Sequence, residues 1–133
     1  MKIKSFVTGA IYTIIRSFVI PKILKRYHPT IINADVIPKK EPVIFICNHR
    51  HKMDQYFIIA ATKRVIHWGA KEEYFNGKDT LFGKPTKISC SLTTILLKLI
   101  GTVCVDRYGY SIRSTNEMIN YLKVGSCVGI FPE

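Results

Sequence analysis

The chain opens with apolar residues at three- and four-residue steps. Ile3, Phe6, Val7, Ala10, Ile11, Ile14, Ile15, Phe18 and Val19 share that period, which gathers them on one face of a helix. Lys2, Lys4, Thr8, Thr13, Arg16 and Ser17 fall mostly away from it. Pro21 predicts a kink or a restart, and Lys22, Lys25 and Arg26 follow as a basic end. A membrane-crossing helix needs roughly 20 apolar residues without a central charge, and Arg16 interrupts this stretch. No small-residue cleavage site follows Val19, as a secretory signal requires. Residues 1–28 therefore read as an amphipathic helix lying in the plane of a membrane surface. An ordinary core-packing helix is the alternative on the same pattern.

After Pro29 the pattern changes to short apolar runs alternating with helical stretches. Residues 31–37 read as a strand ended by Pro38. Residues 43–47 are apolar without alternation, which suits a strand buried on both faces. Residues 54–62 suit a helix, with Asp54 near its amino end. Residues 65–70 form a second buried strand, and residues 71–75 start a short helix. A loop rich in Gly, Lys and Pro covers residues 76–87. Residues 91–100 make an apolar helix stopped by Gly101, followed by a third strand over 102–106. Residues 111–123 are helical, closed by Gly125, and residues 126–131 give a fourth strand. The expected fold is α/β, with a largely parallel or mixed sheet flanked by helices, over a domain spanning residues 29–133. In such sheets ligands gather beyond the carboxyl ends of the strands. The polar residues after each strand are then expected to converge: Asn48-His49, Lys71, Asp106-Arg107 and Pro132-Glu133.

Composition narrows the class. The chain has 133 residues, 47% hydrophobic and 22% charged, which fits one globular domain and excludes a disordered chain. Lys and Arg number 20 against 9 Asp and Glu, a formal charge of +11. Such a surplus suits nucleic acid, an anionic membrane or phosphorylated small molecules, or is simply a solvated surface. The basic residues are scattered and form no recognisable nucleic-acid-binding motif, so nucleic acid is not an expected partner and a nucleic-acid-binding module is only a remote alternative. Cys47, Cys90, Cys104 and Cys127 show no paired spacing, consistent with reduced thiols in a reducing compartment. Cys47, His49 and His51 lie too close together for an ordinary zinc site.

The candidate chemistry starts with His49 and Asp54. They are separated by five positions, roughly 17 Å along a straight strand and about 140° apart on one helix. Only a tight turn between strand and helix brings them together. Asp54 then fixes one imidazole nitrogen and leaves the other as a general base. No Ser or Cys nucleophile is needed, because a substrate hydroxyl can attack. The same spacing serves equally as a structural pair capping the helix. Arg107 offers a guanidinium fork suited to phosphate, or a simple ion pair with Asp106. Lys71 is a point charge for phosphate, or a solvated lysine. Glu133 is a carboxylate able to orient an arginine or bind a glycerol hydroxyl.

Three blocks in order resemble the glycerolipid acyltransferase family of lysophosphatidic acid acyltransferases. Asn48-His-Arg-His-Lys-Met-Asp54 resembles its NHxxxxD block. Gly101-Thr-Val-Cys-Val-Asp-Arg107 resembles its second block. Phe131-Pro-Glu133 resembles the opening of its third, FPEGTRS, and residues 70–75 resemble a common intermediate segment. The resemblance implies that His49 deprotonates the free hydroxyl of lysophosphatidic acid, which attacks the thioester of acyl-CoA or acyl carrier protein. It implies that Asp54 steadies the charged histidine, and that Arg107, with Glu133, binds the phosphate. No cofactor or metal is implied, and the cytoplasmic face of the cell membrane is the expected location. Glycerol 3-phosphate or another lysophospholipid is the alternative acceptor, and a catalytically silent membrane-surface protein the alternative role. The sequence stops inside the third block, which implies an incomplete sheet and a truncated domain. His51 stands where the family commonly has a small residue.

Overall fold

The computed structural model describes residues 2–51, 53–106, 109 and 112–132, with side chains from residue 6 onward. Four β-branched or apolar runs form the strands β1 (Val43–Ile46), β2 (Ile66–Lys71), β3 (Val103–Val105) and β4 (Cys127–Ile130). They join in one sheet in the order β1-β4-β2-β3. Every pairing is parallel: Val43 faces Cys127, Ile66 faces Cys127, and Gly69 faces Val103. A parallel pair requires a crossover. The crossovers here carry the helices α3 (Asp54–Ala61), α4 (Lys87–Leu99) and α5 (Ile112–Lys123). The architecture is the expected α/β type. Ile66, Cys127 and Val128 lie fully buried on the central strands β2 and β4, and Val103 on the edge strand β3 is equally buried.

Several local expectations are corrected. Residues 31–37 form no strand. Asn33 takes a left-handed conformation at φ 56° and a single 3-10 turn spans Ala34–Val36, so the extended backbone is broken mid-run. β1 is not buried on both faces. It is an edge strand, and Ile44 and Ile46 are 52% and 68% exposed. The helix expected over 91–100 starts earlier, at Lys87. Thr86 and Ser89 form a reciprocal capping box there, in which each side chain accepts from the other's backbone N–H. That device satisfies amides the helix start would otherwise orphan.

The amino-terminal segment is helical throughout its described residues: α1 (Lys2–Ile14), a π-helical turn (Ile15–Val19) and α2 (Ile20–Tyr27). Pro21 sits near the start of α2, and the π turn before it takes up the widened geometry. The orientation differs from the amphipathic reading. Thr8, set on the polar side by periodicity, is buried, as are Tyr12 and Ile20. Thr8 donates to the Leu99 carbonyl at 2.8 Å, and the Tyr12 hydroxyl donates to the Ile66 carbonyl. Arg16 donates to the Arg64 carbonyl. Phe6 and Phe18 are instead 78% and 67% exposed, and Ile14 and Val19 are exposed beside them. The helix thus anchors through hydrogen bonds and through Tyr12 and Ile20 in the core, with Ile15 and Leu24 packed against it, and turns Phe6, Ile14, Phe18 and Val19 outward. Residues 6–27 are long and apolar enough to cross a membrane, yet only 17% of that window is buried against protein.

Candidate active site

β1 ends at Ile46, and the chain turns sharply before α3 begins at Asp54. The Asp54 amide donates to the His51 carbonyl at 3.0 Å, closing that turn. Asp54 occupies the first position of the helix, where an anion is favoured by the helix dipole. A single carboxylate oxygen, Oδ2, gathers three donors. The amides of Arg50 and His51 reach it at 2.7 and 2.8 Å, and His49 Nδ1 at 3.2 Å. Burial alone raises the Asp54 carboxyl, but the His51 and Arg50 amides and the His49 ring outweigh it and hold it below the ordinary value. An ionised carboxylate only accepts, so Nδ1 of His49 carries the proton in this pair. Nε2 is then the nitrogen left for a substrate. The turn required by the five-residue spacing is therefore present. The carboxylate also caps the turn, so the arrangement is compatible with either reading of the pair.

The His49 ring lies against Phe131, with centroids 4.4 Å apart. Phe131 in turn stacks on Trp68 at 5.1 Å. Phe131 directly follows β4, so the third block touches the first across the β1–β4 pairing. In the sequence Phe131 stands out only as part of a motif; the parallel register Ile46↔Ile130 is what places it beside His49. His51, bulkier than the residue common in the family, is held from two sides. Its Nδ1 accepts from the Met53 amide at 3.2 Å, and its ring meets Tyr27 edge-on at 6.0 Å. Tyr27 also meets Phe57 of α3 at 5.7 Å, so the end of α2 rests against the turn that carries His49.

Lys71 ends β2 on the same carboxyl edge of the sheet, separated from β1 by β4. Its ammonium pairs with Asp79 and lies over the Tyr74 ring at 4.7 Å. The hydrogen bond it donates to Asp79 holds the lysine above its ordinary value. One donor of the Lys71 ammonium is thereby engaged by Asp79. Asp106 directly follows β3 at the same edge. Arg107 and Glu133, the expected phosphate ligands, lie outside the described residues.

Cys47, between β1 and His49, is a free thiol. Burial, and then the charge of Asp54, push its pKa up, which disfavours the thiolate a cysteine nucleophile needs. Among the described residues no three of His, Cys, Asp and Glu gather as a metal site.

A histidine whose Nδ1 is held by a carboxylate, at the carboxyl edge of a parallel sheet, has the geometry that general-base chemistry requires. The family model described as Acyltransferase matches residues 28–133. The chain belongs to that family, the glycerolipid acyltransferases that include the lysophosphatidic acid acyltransferases. No curated protein and no solved structure matches the chain.

Proposed function

We propose that this acyltransferase transfers an acyl group to the free hydroxyl of lysophosphatidic acid, forming phosphatidic acid. The observation that carries the reading is the His49–Asp54 pair, with Nδ1 held by Oδ2 at 3.2 Å and Nε2 left for the substrate. Nε2 takes the hydroxyl proton as the acceptor oxygen attacks the thioester carbon. The tetrahedral intermediate collapses, the C–S bond breaks, and the proton passes from the imidazolium to the leaving thiolate. Asp54 stabilises the imidazolium between those steps. The donor is acyl-CoA or acyl carrier protein.

In this proposal Arg107 grips the acceptor phosphate bidentately, and Glu133 orients it or a glycerol hydroxyl. Both follow strands, β3 and β4, whose carboxyl ends share an edge with β1. The outward apolar row of α1 and α2, with Lys22, Lys25 and Arg26 beyond it, supports residence on an anionic membrane surface, and the expected side is the cytoplasmic face. There the lysophospholipid is presented directly to the site.

An acceptor panel tests this assignment. Lysophosphatidic acid, glycerol 3-phosphate and monoacylglycerol are offered with one acyl-CoA. The proposal predicts highest kcat/KM for lysophosphatidic acid. Arg107→Ala is predicted to raise KM for the phosphorylated acceptors with little change for monoacylglycerol. Equal turnover of monoacylglycerol and lysophosphatidic acid contradicts the phosphate-binding assignment.

A further inference from the structure

Helix α4 turns Thr93 and Thr94 toward the protein and much of its apolar surface outward. Cys90, Thr93 and Leu97 are buried. Thr93 Oγ1 pairs with the Thr80 hydroxyl at 2.9 Å and accepts from the Leu81 amide at 3.0 Å. Thr94 Oγ1 donates to the Tyr74 carbonyl at 2.7 Å. The opposite side carries Ile88, Leu92, Ile95 and Leu99, spaced four, three and four residues apart on a single helical stripe. Their exposure runs from 41% at Leu99 to 75% at Ile88. The loop before α4 adds exposed Leu81 and Phe82. Both amides of that pair are tied down, Leu81 to Thr93 and Phe82 to Thr80 at 3.0 Å, so the apolar loop is held against the helix.

Charge identifies what covers this face. Lys78, Lys84, Lys87 and Lys98 are exposed around it, and the only acidic residue between 78 and 105 is Asp79, which is occupied by Lys71. A second copy of the chain would bring two such lysine sets together, in molecules already carrying +11, and like charges at a rim oppose that pairing. An anionic bilayer satisfies both the apolar stripe and the lysines. α4 also packs beside α1, where Thr8 bonds to Leu99, and α1 exposes its own apolar row. Two neighbouring helices with outward apolar rows suit a broad lipid surface rather than a peptide groove.

We propose that the α4 stripe and the Leu81–Phe82 loop form a second lipid-insertion surface beside α1, seating the domain on an anionic bilayer through two elements. The proposal builds on the reading of α1 and α2 as a surface element but is tested without turnover, so it stands or falls separately from the acyl-transfer assignment.

The full chain is sedimented with vesicles of phosphatidylcholine containing phosphatidylglycerol. Leu92→Asp/Ile95→Asp is predicted to reduce the bound-to-free ratio by about tenfold or more, because two apolar side chains no longer enter the bilayer. Circular dichroism is expected to match the unmodified chain, since both positions are exposed. Leu92→Trp supplies a reporter, because the native Trp68 is buried. Its emission is expected to shift to the blue on vesicle addition and to be quenched by brominated lipid. Undiminished sedimentation of the double variant, or unshifted emission at position 92, overturns the proposal. So does a lipid-free dimer of the native chain that Leu92→Asp/Ile95→Asp dissolves, which assigns the stripe to a second copy.

Discussion

Asp54→Asn separates the charge of the carboxylate that the proposal places behind His49 from its shape. The asparagine carbonyl can still accept the Arg50 and His51 amides, which reach Oδ2 of the native aspartate at 2.7 and 2.8 Å, so the turn is expected to persist with a loss of about 1 kcal/mol or less. The charge facing the imidazolium disappears. Two unit charges about 4 Å apart interact by about 4 kcal/mol near a protein surface and about 1 kcal/mol in bulk water. His49 and Asp54 side chains are 42% and 19% exposed, which places this pair between the limits, at about 2–3 kcal/mol. That loss slows the proton-transfer step by roughly 30- to 150-fold. Asp54→Ala removes the acceptor altogether, and the orphaned amides add about 1–2 kcal/mol of destabilisation.

The assay is free CoA released per unit time, resolved by chromatography, alongside thermal melts. The two variants also differ from the native chain in acid. The Asp54 carboxyl is held below its ordinary value of 3.8 in the folded chain. Its contribution is therefore fully present above that ordinary value and is lost as pH falls through the lower folded value. Native stability is predicted to fall more steeply below about pH 4 than that of Asp54→Asn. A kcat for Asp54→Asn within about threefold of native refutes the electrostatic role, since that is under 1 kcal/mol.

Three further outcomes rest on the same framework. A Cβ at Gly129 would stand 2.3 Å from the Trp68 ring, so Gly129→Ala must displace the Trp68–Phe131 stack beneath His49; a loss of about 1–3 kcal/mol is expected in denaturant melts, together with reduced kcat. Arg64 donates to the carbonyls of Pro38 at 2.8 Å, Gly125 at 2.6 Å, and Glu41, joining the leads into β1 and β4. Arg64→Ala is predicted to cost about 2–3 kcal/mol and to lower Tm by about 8–12 °C, and an unchanged melt contradicts that linkage. Lys71→Ala is predicted to leave KM for the phosphorylated acceptor within about twofold, because its ammonium is committed to Asp79 and exposed pairs contribute little. A tenfold rise in KM shows instead that Lys71 exchanges Asp79 for substrate.

The strands and helices around the site were legible because their signals are local. The largely apolar runs at 65–70 and 127–130 need a sheet to bury them, and the five-residue spacing of His49 and Asp54 admits only a turn. Residues 31–37 misled because Ile31, Ile32 and Val36 have strand-forming side chains, while Asn33 accepts a positive φ and no neighbouring strand pairs with the segment. β1 misled because apolar content does not distinguish a central strand from an edge; that depends on the order β1-β4-β2-β3, a long-range property. The inward face of α1 was invisible for a related reason. Thr8 and Tyr12 are buried by bonds to Leu99 and Ile66, partners distant in the chain. Likewise the packing of Phe131 on His49 exists only once β1 and β4 pair in register. The Lys71–Asp79 pair lies close in sequence, but its formation depends on how the 3-10 turn Glu72–Tyr74 redirects the chain.

The central claim is that His49 activates a lipid hydroxyl toward a thioester. Its most direct test is mass-spectrometric detection of phosphatidic acid from lysophosphatidic acid and acyl-CoA, comparing native protein with folded His49→Ala. Removing a general base costs roughly 10²- to 10⁴-fold. The account predicts product from the native chain and a loss of that size in the variant, with unchanged vesicle binding. Product formed at an undiminished rate by His49→Ala contradicts it.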